Sequence, residues 1–142
     1  MRKHLSSVST LLGILFVLGA SRAQAQIVHD IVADIPFAFH AGSARFPAGK
    51  YTLKVPVEFA NQEMEIVSAD FKHAAFFPVI SAQSSTTPDN PVLIFRKFGD
   101  DYYLWKVFDA GNNLGVEVVT SEDEKAKTKG KTSEEKRVGG HH

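Results

Sequence analysis

The 142-residue sequence contains no cysteine. Without thiols the chain cannot form disulfides, bind zinc or iron through sulfur, or use a cysteine nucleophile. It also has no excess of charge of either sign, because 16 basic side chains balance 16 acidic ones. A nucleic-acid-binding domain carries a broad basic field, so nucleic acid is excluded as a partner.

The motifs that mark common enzymes and metal sites are missing as well. The sequence has no G-x-S-x-G elbow, no S-x-x-K of the penicillin-binding type, no H-E-x-x-H and no calcium-binding loop. The aspartates at 100, 101 and 109 are explained by turn chemistry without calcium. Glu63 and Glu65 have the spacing of any two exposed residues on one strand face. We therefore predict no enzyme activity, no metal site and no cofactor.

The first 25 residues are typical of an export signal. Two basic residues precede an apolar segment at 5–20, and the small residues Ala23 and Ala25 fit the A-x-A rule of signal peptidase. The alternative is a retained anchor, but a spanning helix needs roughly 20 mostly apolar residues. We expect a signal helix that is cleaved before Gln26, leaving a periplasmic or secreted protein without a transmembrane anchor.

Residues 26–120 show the alternation of apolar and polar side chains that is typical of β-strands. About seven short segments have this period, and Gly, Pro, Asn, Asp or Ser residues separate them. The predicted strands are 31–40, 51–55, 63–68, 74–82, 92–98, 102–109 and 116–120. The pattern predicts one all-β domain, either an antiparallel β-sandwich or a small barrel.

The segment 121–142 carries many charges and few apolar side chains. Its only apolar side chains are Ala126 and Val138. A segment of this composition buries too little surface to offset the entropy lost on ordering. We predict a disordered or frayed charged tail, whose removal after Thr120 leaves the thermal midpoint nearly unchanged.

Two stretches of the domain carry recognisable motifs. The first has the form I-P-F-x-F followed by P-A-G-x-Y, at 35–39 and 47–51, and the second reads F-x-x-F-G-D-x-Y-Y-L at 95–104. Together they resemble a family of small exported β-rich proteins that is abundant in acidobacterial genomes. In the family, Leu-Pro usually follows a Gly and a Glu at this point. This chain has the Gly and Glu, at 115 and 117, but lacks the Leu-Pro. The resemblance implies export and β architecture, and it implies no activity.

Aromatic side chains are densest on the predicted hairpin 92–109. Phe98, Tyr103 and Trp105 are candidates for an exposed platform, flanked by Arg96, that stacks on a sugar ring or meets a protein partner. The favoured interpretation is the simpler one, in which these side chains are buried where two layers of a core meet. A third interpretation is an internal apolar cavity that binds a small ligand.

The register of this hairpin depends on which residues form its turn. If Asp100 and Asp101 are the two turn residues, Arg96 faces Trp105. The same turn places Phe98 opposite Tyr103. A longer loop shifts the register and separates both pairs.

These observations favour an exported, non-enzymatic β-domain that acts in binding or in envelope structure. An envelope glycan, a lipid and a protein all remain candidate partners. One alternative is a carrier of a small hydrophobic ligand in a barrel interior. Its cavity would be lined by Phe37, Phe39, Leu53 and Phe77. The second alternative is a hydrolase, which needs one of the histidines at 29, 40 or 73 beside a serine and an acid.

Overall fold

The computed structural model describes residues 28–56 and 63–142. The expected signal helix at 1–25, with its cleavage residues Ala23, Ala25 and Gln26, lies outside the described residues. The described residues contain ten β-strands and one short α-helix. In chain order they are β1 (Val28–Ile35), β2 (Phe39–Ala41), β3 (Ala44–Phe46), β4 (Gly49–Pro56), β5 (Glu63–Ser68), β6 (Ala74–Gln83), β7 (Val92–Phe98), β8 (Asp101–Phe108), β9 (Leu114–Val118), α1 (Glu122–Thr128) and β10 (Glu134–His141).

Eight of these strands form a closed antiparallel barrel. Around the ring the order is β8, β7, β10, β1, β4, β5, β6 and β9, and β9 pairs with β8 to close it. Closure pairs the strand edges that an open sheet would expose. The predicted all-β antiparallel fold is confirmed. Of the two forms that the sequence allowed, a sandwich and a barrel, the structure is the barrel.

The alternation along each strand builds the core. On β1, Ile31, Ala33 and Ile35 are buried, whereas Asp34 is exposed. Burying one large apolar side chain contributes roughly 1.5–3 kcal/mol. Because no disulfide is present, this buried area is the main source of stability. The largest fully buried side chains are Tyr51, Phe39, Phe46, Phe95, Ile31, Ile35, Leu53, Met64, Ile66, Leu93 and Val107.

A short hairpin of β2 and β3 fills one end of the barrel. The single strand predicted at 31–40 is in fact two strands, because Pro36 follows β1 and has no N–H for the ladder. Phe39 of the hairpin packs edge-on against Tyr51 and Phe95, with ring centroids 5.2 and 5.5 Å apart. The rings therefore occupy the space at this end of the barrel.

The charged segment after Thr120 is part of the fold, so the predicted disordered or frayed tail is wrong. Helix α1 begins after Ser121, whose side chain accepts a hydrogen bond from the N–H of Glu124 at 3.1 Å. Within 28–56 and 63–142, no helix has the length and apolarity that a membrane span requires.

Strand β10 lies in the barrel wall between β7 and β1. It pairs with β7 over 134–139 and with β1 at Gly140 and His141. Val138 is the one buried residue of this strand. Backbone hydrogen bonds form whatever the side chains are, which is why a charged segment can serve as a barrel strand.

Candidate functional site

The β7–β8 hairpin turns one residue earlier than the Asp100–Asp101 turn considered from the sequence. Its turn residues are Gly99 and Asp100, and Gly99 has a φ of +61°. A positive φ at the first central position is the mark of a type II′ turn, which favours glycine there. In the resulting register Arg96 pairs with Tyr103, so the ladder pair with Trp105 that an Asp100–Asp101 turn would give is not formed.

The four predicted platform residues nevertheless meet on the outside of the hairpin. A register shift opposite Ile94 and Phe95 leaves Trp105 as an extra residue in β8. The Cζ atom of Arg96 lies 5.0 Å from the centroid of the Trp105 ring. The rings of Phe98 and Tyr103 pack edge-on at 5.9 Å, although Phe98 pairs with Asp101 in the ladder.

Two of these four side chains are closed to solvent. Tyr103 is 3% exposed and Phe98 is 8% exposed. The ring of His40, on β2, stacks on Tyr103 with centroids 4.7 Å apart. An open platform of four side chains is therefore not observed, and their role in binding stays a prediction.

Trp105 is half-buried, and its indole contacts an acidic side chain and two basic ones. Its Nε1 donates to Glu117 Oε1 at 2.6 Å, and Lys106 Nζ lies 4.1 Å from the ring centroid. Arg96 also lies over the ring, so the indole has two cations within cation–π distance. These contacts stabilise the β8–β9 wall and leave little of the ring for a ligand.

Helix α1 covers part of this outer surface. Arg96 Nη2 donates to Glu124 Oε1 at 3.3 Å and to Thr120 Oγ1 at 3.2 Å. Glu124 is only 5% exposed. Burial raises the pKa of the Glu124 carboxyl, and the nearby Arg96 charge partly opposes that rise. The ion pair thus attaches the helix to β7.

A second region, at the end of the barrel that the β2–β3 hairpin fills, contains a cleft of about 190 Å³. Two turns form it, residues 47–48 between β3 and β4 and residues 69–73 between β5 and β6. The turns are joined by a hydrogen bond from Ala69 N–H to the carbonyl oxygen of Lys50, at 2.9 Å. We call this the rim cleft. Its polar lining side chains include Lys50, Ser68, Asp70 and His73.

The 69–73 turn is braced by a small hydrogen-bond network. The buried Ser68 hydroxyl donates to Asp70 Oδ1 at 2.6 Å and accepts from His73 N–H at 3.0 Å. Lys72 N–H also donates to Asp70 Oδ1, at 3.0 Å. These two hydrogen bonds hold the pKa of the Asp70 carboxyl below its usual value. The turn therefore has a fixed shape.

This network brings a serine, an acid and a histidine together, the combination that the hydrolase alternative requires. A nucleophilic serine passes its hydroxyl proton to an imidazole, which an acid in turn orients. Here the Ser68 hydroxyl points its proton at Asp70, and His73 contributes its backbone N–H. The contacts are those of a turn network, and they do not form a catalytic triad.

Phe71 stands in the same turn and was missed in the sequence. It is the described non-glycine residue with a positive φ, +59°, and it is 83% exposed. An L-residue in the left-handed region costs roughly 1–2 kcal/mol. The sequence did contain a sign of this exposed ring, because an aromatic residue lies in a short turn between the predicted strands 63–68 and 74–82.

The side chains expected to line a carrier cavity occupy the barrel interior. Phe39, Leu53 and Phe77 belong to the buried core cluster, and Phe37 packs against it. Phe37 also stacks on Tyr102 with centroids 3.8 Å apart. The barrel architecture is compatible with a carrier, but these four side chains belong to the core cluster or pack against it.

No group of three or more histidine or acidic side chains within the described ranges could hold a metal ion. The motifs at 35–39, 47–51 and 95–104 contribute the β2–β3 region, the edge of the rim cleft and the β7–β8 hairpin. Membership of the family that these motifs resemble stays a prediction. The chain matches no family model, and no curated protein or solved structure is significantly similar to it.

Proposed function

We propose that this protein is an exported, non-enzymatic binding module that holds one sugar unit of an envelope glycan in the rim cleft. Phe71 is not itself a lining residue, but it stands in the 69–73 turn that forms one side of the cleft, and its exposed ring would provide the stacking surface. The observation that carries the proposal is the combination of strain and exposure at Phe71. Export through residues 1–25 is part of the proposal and rests on the sequence pattern alone.

Neither local structure nor packing favours a phenylalanine at position 71. Its left-handed backbone would be relaxed by glycine, and its ring is 83% exposed. Strain of this kind persists where the surrounding structure fixes it and is concentrated at ligand-binding sites. An aromatic ring in that position is therefore best explained by a contact made outside the domain.

The chemistry of the rim cleft suits a polyhydroxylated ligand. Lys50 and His73 offer donors, and the Asp70 carboxylate offers acceptor capacity beyond the bonds it receives within the turn. A pyranose ring presents hydroxyl groups around its edge and an apolar face. An exposed aromatic ring beside polar groups can contact both parts of such a ligand.

The size of the rim cleft restricts what it can hold. Its volume of about 190 Å³ is below the roughly 300–1,000 Å³ typical of sites for drug-sized ligands. It corresponds to about six water molecules at their share of the liquid volume. We therefore expect one saccharide unit, at the end of a chain, to occupy it.

The proposal is tested by titrating the mature protein with glucose, N-acetylglucosamine and glucuronate, observed by NMR. We expect one of these saccharides to shift the amide signals of the 47–50 and 69–73 turns together. Replacement Phe71→Ala should weaken its binding about fivefold, since an aromatic stacking contact is worth roughly 1 kcal/mol.

The matched control is Phe76→Ala. Phe76 lies on β6 of the same hairpin and is 68% exposed, but it stands opposite Glu65 in the ladder, outside the 69–73 turn. We expect this variant to bind like the wild type. Equal losses in the two variants, or signal shifts confined to the Trp105 region, would contradict the proposed site.

The export component has its own test. Mature protein recovered from cells should begin at Gln26, which N-terminal sequencing would establish. Protein that still begins at Met1 would overturn export without affecting the proposed saccharide site.

A further inference from the structure

The weakest seam of the barrel lies between β10 and β1. These strands pair only at Val32 with His141 and at Ala33 with Gly140. On its other edge, β10 pairs with β7 along 134–139. Beyond these two pairs, Gly140 N–H donates to the Pro91 carbonyl oxygen at 2.7 Å, and the His142 ring lies 3.0 Å from the Asp30 carbonyl oxygen and 2.8 Å from Asp109 Oδ1. The wall is therefore closed through a strand whose ladder is long on the β7 side and short on the β1 side.

Side-chain burial adds little to hold β10 in place. Its residues 134–137 are all charged and exposed, and Val138 is its one buried residue. The neighbouring β7, in contrast, buries Leu93 and Phe95 in the core. Segments with few buried apolar contacts open at a lower free energy than the rest of a structure. Opening here would uncover two strand edges and a part of the core.

The slot that β10 occupies is selective for its sequence. A Cβ atom on Gly140 would lie 2.8 Å from Cγ2 of Ile31 and 3.3 Å from Cβ of Pro91. A side chain at this position therefore collides with the wall, whereas Val138 two residues earlier must be apolar. A strand that fits needs an apolar residue followed two positions later by glycine, which a second copy of residues 134–141 provides.

The segment that precedes β10 can act as a hinge. Residues 129–133 join α1 to β10 without belonging to either, and Gly130 has a φ of +73°. All five residues of this linker are lysine, glycine, threonine or serine, and all five are exposed. A change of backbone direction in 129–133 moves β10 without disturbing buried contacts of the linker.

We propose that two copies of this protein exchange β10, each inserting its residues 134–141 between β7 and β1 of the other. The exchanged contacts are the same as those of the closed monomer, so the exchange costs little beyond association itself. The occupant of the slot in the dimer is thus a second copy of this chain. The inference is independent of the proposed saccharide site.

The chain has no cysteine, so an engineered pair reports the exchange directly. Lys97 and Glu134 are register partners across β7 and β10, at a spacing that a disulfide can bridge. The double variant Lys97→Cys/Glu134→Cys is refolded at increasing protein concentrations and oxidised. We expect a covalent dimer whose fraction rises with concentration, seen on a non-reducing denaturing gel.

The control pair is Thr52→Cys/Val67→Cys, which joins β4 to β5 within the fixed part of the barrel. This pair should give covalent monomer at every concentration. If the first variant does not fold, a second test pair, Val92→Cys/Gly139→Cys, joins the same two strands, β7 and β10. Monomer alone from the test pairs overturns the exchange, and covalent dimer from test and control pairs alike also overturns it.

Discussion

The hydroxyl of Ser68 donates a 2.6 Å hydrogen bond to the carboxylate of Asp70, and the same hydroxyl accepts the N–H of His73. One small side chain thus links the two ends of the turn that carries Phe71. The exposed aromatic ring and the rim cleft depend on this link, because it fixes the turn in its left-handed conformation.

We expect Ser68→Ala to destabilise the protein by about 1–3 kcal/mol, since it leaves the N–H of His73 without its acceptor in a partly buried place. Urea denaturation measures the change. Ser84→Ala is the control, because Ser84 accepts a longer, exposed hydrogen bond of 3.3 Å from Thr86. A loss at position 84 as large as that at position 68 would show that the network does not brace the turn.

Phe71→Gly should stabilise the protein by about 1 kcal/mol, because glycine relieves the positive φ and the exposed ring makes little contribution to the core. The same variant should lose saccharide binding. Phe76→Gly is the counterpart, and it should destabilise the protein, since it places glycine within a strand. Thermal and urea unfolding of both variants check this. A less stable Phe71→Gly variant would mean that the ring packs against the domain.

The free energy of unfolding should depend on the ionisation of Glu124. Its pKa is raised above the ordinary 4.5, so the folded state binds this proton more tightly than the unfolded chain. The contribution of Glu124 to the free energy of unfolding is therefore full at low pH, and it is lost as the pH rises through the raised pKa. The advantage of the wild type over Glu124→Gln should shrink from pH 4.5 towards neutrality. Urea titrations across this range measure it, and a growing advantage would show that the Arg96 ion pair dominates.

Gly140→Ala should destabilise the barrel by about 1–3 kcal/mol, because the added methyl group has no room against Ile31. Gly139 lies next to it in the same strand, and a Cβ atom there meets nothing within 4 Å. Gly139→Ala should therefore change stability by less than about 0.5 kcal/mol. Equal effects in urea unfolding would contradict the close approach of β10 and β1.

Removal of residues 121–142 should lower the thermal midpoint by many degrees, which reverses the expectation from the sequence. The deletion takes away β10 and leaves β7 and β1 without the strand between them. Calorimetry of the truncated and full chains compares the midpoints. An unchanged midpoint would show that the barrel does not need its eighth strand.

The strand pattern of the sequence was a good guide to most of the fold. Its alternation located β4 to β9 to within a few residues, because apolar side chains on one face of a strand must point into the core. It missed the turn at Gly99, since the adjacent Asp100 and Asp101 gave an equally plausible turn. One residue of difference changed the ladder partners of Arg96 and Phe98.

Composition was a poor guide to β10. The argument from burial assumed that a segment with little apolar surface cannot order, but this strand is ordered by backbone hydrogen bonds to β7. The glycine at 140, which a composition argument counts as flexible, is required by the close packing on Ile31. Only the tertiary arrangement reveals either fact.

The candidate site was the part of the molecule that the sequence predicted least well. The aromatic density at Phe98, Tyr103 and Trp105 was real, but α1 and His40 cover it from segments distant in sequence. The exposure of Phe71 follows from a turn conformation that residue type alone does not specify. Local pattern therefore identified where aromatic residues lie, and only the fold decides which of them meet solvent.

The seam between β1 and β10 also constrains how the chain reaches its native state. Ala33 and Gly140 are register partners although more than a hundred positions separate them. Contacts of such long range form late and slowly, since the entropy of closing a large loop is lost before the contact stabilises anything. Without residues 134–141 the strand order of the barrel is interrupted between β7 and β1. The barrel is therefore completed only after nearly the whole described chain has been synthesised.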